Sequence, residues 1–216
     1  MQSSMRYLPL ISVLVSPLRA RFPAASESTA LAASSVPSFA EKISLRGVPN
    51  AGRVTTSLYR GAQPSLADLS ELKKLGVTTI VDLRAEATNI SNLERADAQS
   101  LGIRFVHLPV GGFSTPSSPQ LADFFSLLRA IPPQTVFVHC EFGRDRTGMF
   151  IAAYRIAVDR WSARQALNEM LAFGFHRTWH PAMARFVRSL PTRLQSDPTL
   201  KSICSPQATP AREFAR

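Results

Sequence analysis

Val136-Phe-Val-His-Cys-Glu-Phe-Gly-Arg-Asp-Arg-Thr-Gly148 reads as a short apolar strand, a tight loop and the opening of a helix. Cys140 and Arg146 are separated by five residues, with Gly143 in mid-loop and Thr147-Gly148 following. That spacing suits a loop that wraps one tetrahedral anion in backbone N–H groups and closes it with a guanidinium. A thiol at the end of the strand lies in the positive field of the helix N-terminus, which favours the reactive thiolate. Arg146 supplies a planar fork that matches two phosphate oxygens, a geometry lysine lacks. Gly143 permits a backbone conformation closed to residues with a Cβ. The bland alternative makes Cys140 a small buried hydrophobe at a strand end. The arginine, glycine and Thr-Gly in register argue against it.

His139-Cys140, Gly143 and Arg146-Thr147-Gly148 resemble the phosphate-binding loop of cysteine-dependent protein tyrosine and dual-specificity phosphatases. The resemblance implies that Cys140 attacks phosphorus and forms a cysteinyl-phosphate. Glu141, Phe142, Gly143, Arg144 and Arg146 would hold the equatorial oxygens, largely through backbone amides. Thr147 would donate its hydroxyl to the sulfur and help the thiolate leave. No metal or cofactor is called for, because the loop and Arg146 take the charge of the transferring phosphoryl group.

A carboxylic acid usually protonates the leaving oxygen. In the phosphatases this acid commonly comes from an Asp on a loop upstream of the cysteine. The corresponding segment, Pro109 to Pro119, contains no Asp or Glu. Asp145, inside the loop and directly before Arg146, is the substitute expected here. Its position resembles that in myotubularin-type lipid phosphatases and in secreted bacterial phosphatases, although the latter commonly carry Lys where this chain has Arg144. The competing reading has Asp145 bracing the loop. Asp123 is a weaker candidate that suits a solvated helix face, and Asp82 reads as structural.

Outward from the loop, strands alternate with helices. Tyr59 to Pro64 reads as a short strand and turn, and Ser65-x-x-Asp68 as a capping-box-like helix start with Leu66, Leu69, Leu72 and Leu75 at helical spacing. Gly76 ends that helix. Val77 to Leu83 is a β-branched strand, Asn92 to Leu101 a helix, and Ile103 to Leu108 a strand. A helix opens at Ser118 or Pro119. Beyond the loop, Thr147 to Val158 is apolar on nearly every side and so belongs in the core. Ser162 caps a further helix, and a last one runs from Pro181 to Pro191. The fold class is α/β, a mostly parallel central sheet flanked by helices. The order of elements is similar to that of the atypical dual-specificity phosphatases of bacteria, plants and fungi over about residues 45–190. Leu58 to Pro64 and Val81-Asp-Leu-Arg84 add to the likeness.

In an open parallel sheet, ligands lie beyond the carboxyl ends of the strands. That rule sets Arg84, Ala85 to Ser91 and Pro109 to Pro119 around one mouth. Arg84 reads either as a substrate contact or as half of a buried ion pair. Phe142 offers an apolar wall or faces solvent, and Arg144 adds a second positive charge. His139 reads as a hydrogen-bonded structural residue.

The 216 residues, 45% of them hydrophobic, fit one globular domain with a real core. It is assigned to residues 45–191, between a 1–40 leader and a disordered 192–216 tail. The leader has Arg6, an apolar run Leu8 to Leu18 too short to span a bilayer, and small-residue triplets suited to signal cleavage. It reads as a secretory signal, giving a periplasmic or secreted protein. A transit-like or disordered segment is the alternative, and without a signal the location would be cytoplasmic. Two cysteines, Cys140 and Cys204, are too few for a disulfide framework. The net charge of +10 suits phosphorylated, acidic or membrane-surface substrates, and no cluster resembles a nucleic-acid-binding arm. The sequence therefore points to a phosphatase acting on phosphotyrosine in proteins, with phosphoserine and phosphothreonine open. A lipid or small-molecule phosphate is the alternative substrate, and a non-catalytic phosphate-binding module the rival class. Stable membrane insertion is not expected, and no oligomeric state is read.

Overall fold

The computed structural model describes residues 38–86 and 88–204. In chain order the elements are β1 (Glu41–Lys42), β2 (Gly52–Arg53), β3 (Leu58–Ala62), a 3-10 turn (Leu66–Asp68), α1 (Leu69–Lys74), β4 (Thr79–Arg84), α2 (Thr88–Ser100) and β5 (Arg104–Val110). They continue with α3 (Ser118–Leu128), β6 (Val136–Cys140), α4 (Asp145–Ala157), α5 (Ala163–Ala172), α6 (Pro181–Ser196) and α7 (Pro198–Cys204).

The sheet runs β1-β2-β3-β6-β4-β5. Strands β3, β6, β4 and β5 are parallel, and the two-residue β1 and β2 add an antiparallel edge. Strand β6 is central. Its register sets Ala62 beside Cys140 and Asp82 beside His139, so three strand ends meet at the loop. All five β6 residues are buried, because side chains alternate between two covered faces. Val136, Val138 and Cys140 join the core formed with α3 to α7, whereas Phe137 joins Tyr59, Ile80, Phe105 and the Leu69 and Leu72 face of α1.

Helix α4 is buried over nearly its whole length, as its apolar composition required. Its Arg155 is paired with Glu169 at 2.8 Å and Asp159 at 2.7 Å. Capping boxes at Ser117–Gln120 and Ser162–Gln165 open α3 and α5. The one expected at Ser65 does not form: Ser65 Oγ donates to the Asp68 carboxylate instead, and a 3-10 turn comes before α1. Gly76, at φ +80, ends α1 as expected.

Both domain boundaries move outward. Ala40 is buried and its N–H donates to Glu169 Oε1 at 2.6 Å, so the fold begins before residue 45. Helix α6 does not stop at Pro191 but continues to Ser196. Val187, Leu190 and Leu194 keep one buried face across the proline, and their burial outweighs the cost of a proline inside a helix, about 3 kcal/mol for the lost hydrogen bond and the ring clash together. Helix α7, with Leu200 fully buried, then occupies part of the stretch expected to be disordered. Of the 1–40 leader on which the secretory-signal reading rests, residues 1–37 lie outside the described residues, as do positions 205–216 of the tail. Among the described residues no helix is long and apolar enough to cross a membrane.

Candidate active site

The buried strand β6 delivers Cys140, 3% exposed, to the start of α4. Between them the chain turns through Gly143 at φ +65. A Cβ there would overlap the Gly61 carbonyl and the Ala62 nitrogen, so the loop lies directly on the end of β3. Two side chains distant in sequence fasten it. Asn50 Nδ2 donates to the carbonyls of Phe142, Gly143 and Phe173 at 3.3, 3.2 and 3.0 Å. Arg60, wholly buried, donates from Nη2 to the Gly143 carbonyl at 2.8 Å and lies 3.8 Å from the Phe173 ring centroid. Burial pushes the Arg60 guanidinium down to about 10, still charged at neutral pH. The loop therefore has a fixed cation behind it. The Gln63 N–H closes the contact on the Glu141 carbonyl at 3.2 Å.

Arg146 is 5% exposed on the first turn of α4. Its Nη1 reaches the Glu86 oxygens at 2.7 and 2.9 Å and donates to the Val110 carbonyl at 3.2 Å. Glu141 Oε2 is 4.0 Å from Nη2. Partial burial works against the Glu86 carboxylate, but the Arg146 hydrogen bond and charge outweigh it and hold the carboxyl below its usual range. Glu86 and Val110 belong to the two strand-end segments that the sheet rule set at the mouth. That rule identified the segments, not the residue: Glu86 was the overlooked acid among Ala85 to Ser91.

Asp145 opens α4, with its Oδ2 at 3.9 Å from His180 Nε2. Asp145 Oδ1 and His180 Nδ1 are buried with no hydrogen-bond partner among the described residues. The His180 ring lies between Phe113 (5.2 Å) and Phe175 (6.4 Å). Phe113, 80% exposed, comes from the acid-free Pro109–Pro119 segment. Nothing in the sequence singled out His180. Asp123 is half-buried on α3.

Arg144 approaches His176 (Nη1 to Nε2, 3.3 Å), and its guanidinium lies 4.8 Å from the Phe142 ring centroid. Phe142 is half exposed. Thr147 differs from expectation: its Oγ1 is buried but makes no hydrogen bond, to Cys140 or to any other described residue.

Arg84 is also a correction. Its side chain is fully buried and binds Asp82 at 2.8 Å and Glu94 at 2.6 Å, so it faces the core and not the substrate. The second carboxylate, Glu94 from α2, completes a network no local pattern announces. Burial works against ionisation of Asp82, yet Arg84, His139 and Ser91 together hold its carboxyl at about 2. Glu94 Oε1 also lies 2.9 Å from His139 Nε2. Asp82, Glu94 and His139 have donor atoms within 4.8 Å of one another, the spacing of a metal site. The Arg84 guanidinium already occupies the position of the cation there.

A thiol at the C-terminal end of a central parallel strand, a loop seated on glycine and an arginine on the first turn of an internal helix define a cysteine-dependent phosphatase of the dual-specificity superfamily. The chain belongs to the family described as DSP-PTPase phosphatase fused to NAD+ kinase, whose model matches residues 41–185. It is 32% identical over 163 residues to the dual specificity protein phosphatase TpbA of Pseudomonas aeruginosa strain UCBPP-PA14, covering 76% of this chain and 67% of that one. A crystal structure of P. aeruginosa TpbA, a cysteine-to-serine variant in complex with phosphotyrosine, superposes with a TM-score of 0.59 at 25% identity, covering 76% of this chain and 99% of the other. The core catalytic domain of the PP-IP phosphatase Siw14 of S. cerevisiae shares the fold at TM-score 0.60 and 22% identity, over 74% and 93% of the two chains.

Proposed function

We propose that this enzyme removes phosphate from phosphotyrosine in proteins. The observation that carries the reading is the pairing of Cys140, buried at the mouth of α4, with Arg146 held by Glu86 and the Val110 carbonyl. In the first step the Cys140 thiolate forms an S–P bond while the P–O bond to the tyrosyl oxygen breaks, and Asp145 gives that oxygen its proton. In the second step water attacks phosphorus, Asp145 takes back a proton, and the S–P bond breaks to regenerate the thiolate and release inorganic phosphate. Amides of residues 141–146 and the Arg146 fork carry the charge of the equatorial oxygens throughout. Exposed Phe113, with Phe142 on the loop, offers apolar surface to a phenyl ring. The TpbA complex with phosphotyrosine supports the same substrate class.

A second reading, an inositol phosphate or phosphoinositide substrate, draws support from Arg144 beside the loop and from the likeness to a PP-IP phosphatase. The test is phosphate release from a phosphotyrosine peptide in excess EDTA, wild type beside Cys140→Ser. Turnover that resists EDTA and needs Cys140 is expected. Tight binding of the peptide by both proteins without release would instead indicate a binding module.

A further inference from the structure

Between Arg160 and Ser196 the chain carries six arginines and one carboxylate, Glu169. That carboxylate is buried and taken by Arg155. Three of the arginines, Arg164 on α5, Arg177 between the helices and Arg188 on α6, converge on a concavity of about 370 Å³ with Asn168 at its side and Leu171 and Phe175 among its apolar lining. None of these three guanidiniums has a hydrogen-bond or ionic partner among the described residues. By contrast, Arg46, Arg53, Arg84, Arg146 and Arg155 each hold a carboxylate. Three unpaired like charges around one hollow repel one another, and an anion relieves that repulsion.

The hollow adjoins the catalytic loop. The stretch 173–180 between α5 and α6 is a wall common to both. His176 meets Arg144 on one side of it, and His180 lies 3.9 Å from Asp145. Phe175, stacked on His180, and Arg177 belong to the hollow.

We propose that the concavity is a second anion subsite, which receives a Glu or Asp side chain flanking the phosphotyrosine of the substrate protein. It rests on the phosphotyrosyl-protein reading given above. The guanidiniums bind the carboxylate, and the apolar lining packs against its methylene stem. Because the arginines are exposed, the subsite acts through binding and is sensitive to salt.

The test compares the wild type with the Arg177→Gln/Arg188→Gln double variant on three probes: a phosphotyrosine peptide with Glu flanks, the same peptide with Gln flanks, and 4-nitrophenyl phosphate. The wild type is expected to prefer the acidic peptide by about tenfold in kcat/KM, through KM, with the preference fading at high salt. The variant loses the preference and keeps its 4-nitrophenyl phosphate turnover, which shows that the loop is intact. Equal use of the two peptides by the wild type, or an unchanged preference in the variant, overturns the subsite while leaving the phosphotyrosine reading in place. Hydrolysis of an inositol polyphosphate with neither peptide turned over removes both.

Discussion

Replacing Arg84 with methionine separates the two roles an arginine at this strand end can play. The guanidinium holds Asp82 through two 2.8 Å contacts and Glu94 through one of 2.6 Å, with every side chain involved fully buried. Methionine of similar length leaves two carboxylates in the core without their cation, and breaking a buried pair in this way costs about 3–5 kcal/mol. The same pair holds the Asp82 carboxyl at about 2 in the fold against an ordinary 3.8. Its depression corresponds to about 2–3 kcal/mol at neutral pH, present above pH ~4 and lost as the pH falls towards ~2. In Arg84→Met the sign reverses. Burial now dominates at Asp82, its carboxyl takes up a proton more readily in the folded state, and the loss shrinks between pH 7 and 5. Urea denaturation followed by Trp161 and Trp179 fluorescence should show a loss of about 3–5 kcal/mol at pH 7.5 that narrows by roughly 1 kcal/mol or more at pH 5. A loss below ~1 kcal/mol together with a large rise in KM would refute the reasoning and return Arg84 to the substrate.

Two further outcomes follow from the site. Gly143→Ala places a Cβ against the Gly61 carbonyl at φ +65, so the loop must shift off β3. The left-handed conformation alone costs about 1–2 kcal/mol. Displacement of the phosphate amides should lower kcat/KM by about 100-fold, and retention of wild-type rates would sink the claim that the loop is seated there. Asp145→Asn should slow phosphate release from phenyl phosphate by about 100-fold or more, yet leave 4-nitrophenyl phosphate, with its better leaving group, far less affected. Equal losses on both esters would show that Asp145 braces the loop and does not donate the proton.

The catalytic loop was legible because its sequence is also its structure. An apolar run makes the buried strand, one glycine takes the positive φ, and a helix follows without interruption. The parallel sheet was legible for a similar reason, since β4 and β6 are buried on both faces, β6 as a mostly apolar run and β4 as a β-branched one. What fastens the loop was not. Asn50 and Arg60 act on carbonyls 92 and 83 residues away, and no local pattern announces so distant a partner. His180 likewise acquires its place through Phe113, Phe175 and Asp145. Arg84 was undecided because its strand-end position suits both the mouth and a core pair, and the deciding partner, Glu94, lies on another element. Pro191 misled because local propensity gave way to the buried face of α6.

The Asn50 amide also bears on how the enzyme ages. One NH2 group serves three carbonyls from the loop and from the end of α5, and the residue sits at φ +52, on a turn. Hydrolysis of that amide to a carboxylate exchanges a donor for an acceptor and points negative charge at three oxygens. A preparation that deamidates at Asn50 should keep its cysteine and its fold while losing the shape of its phosphate cradle. Intact thiol content is therefore no measure of how much active enzyme an old sample holds.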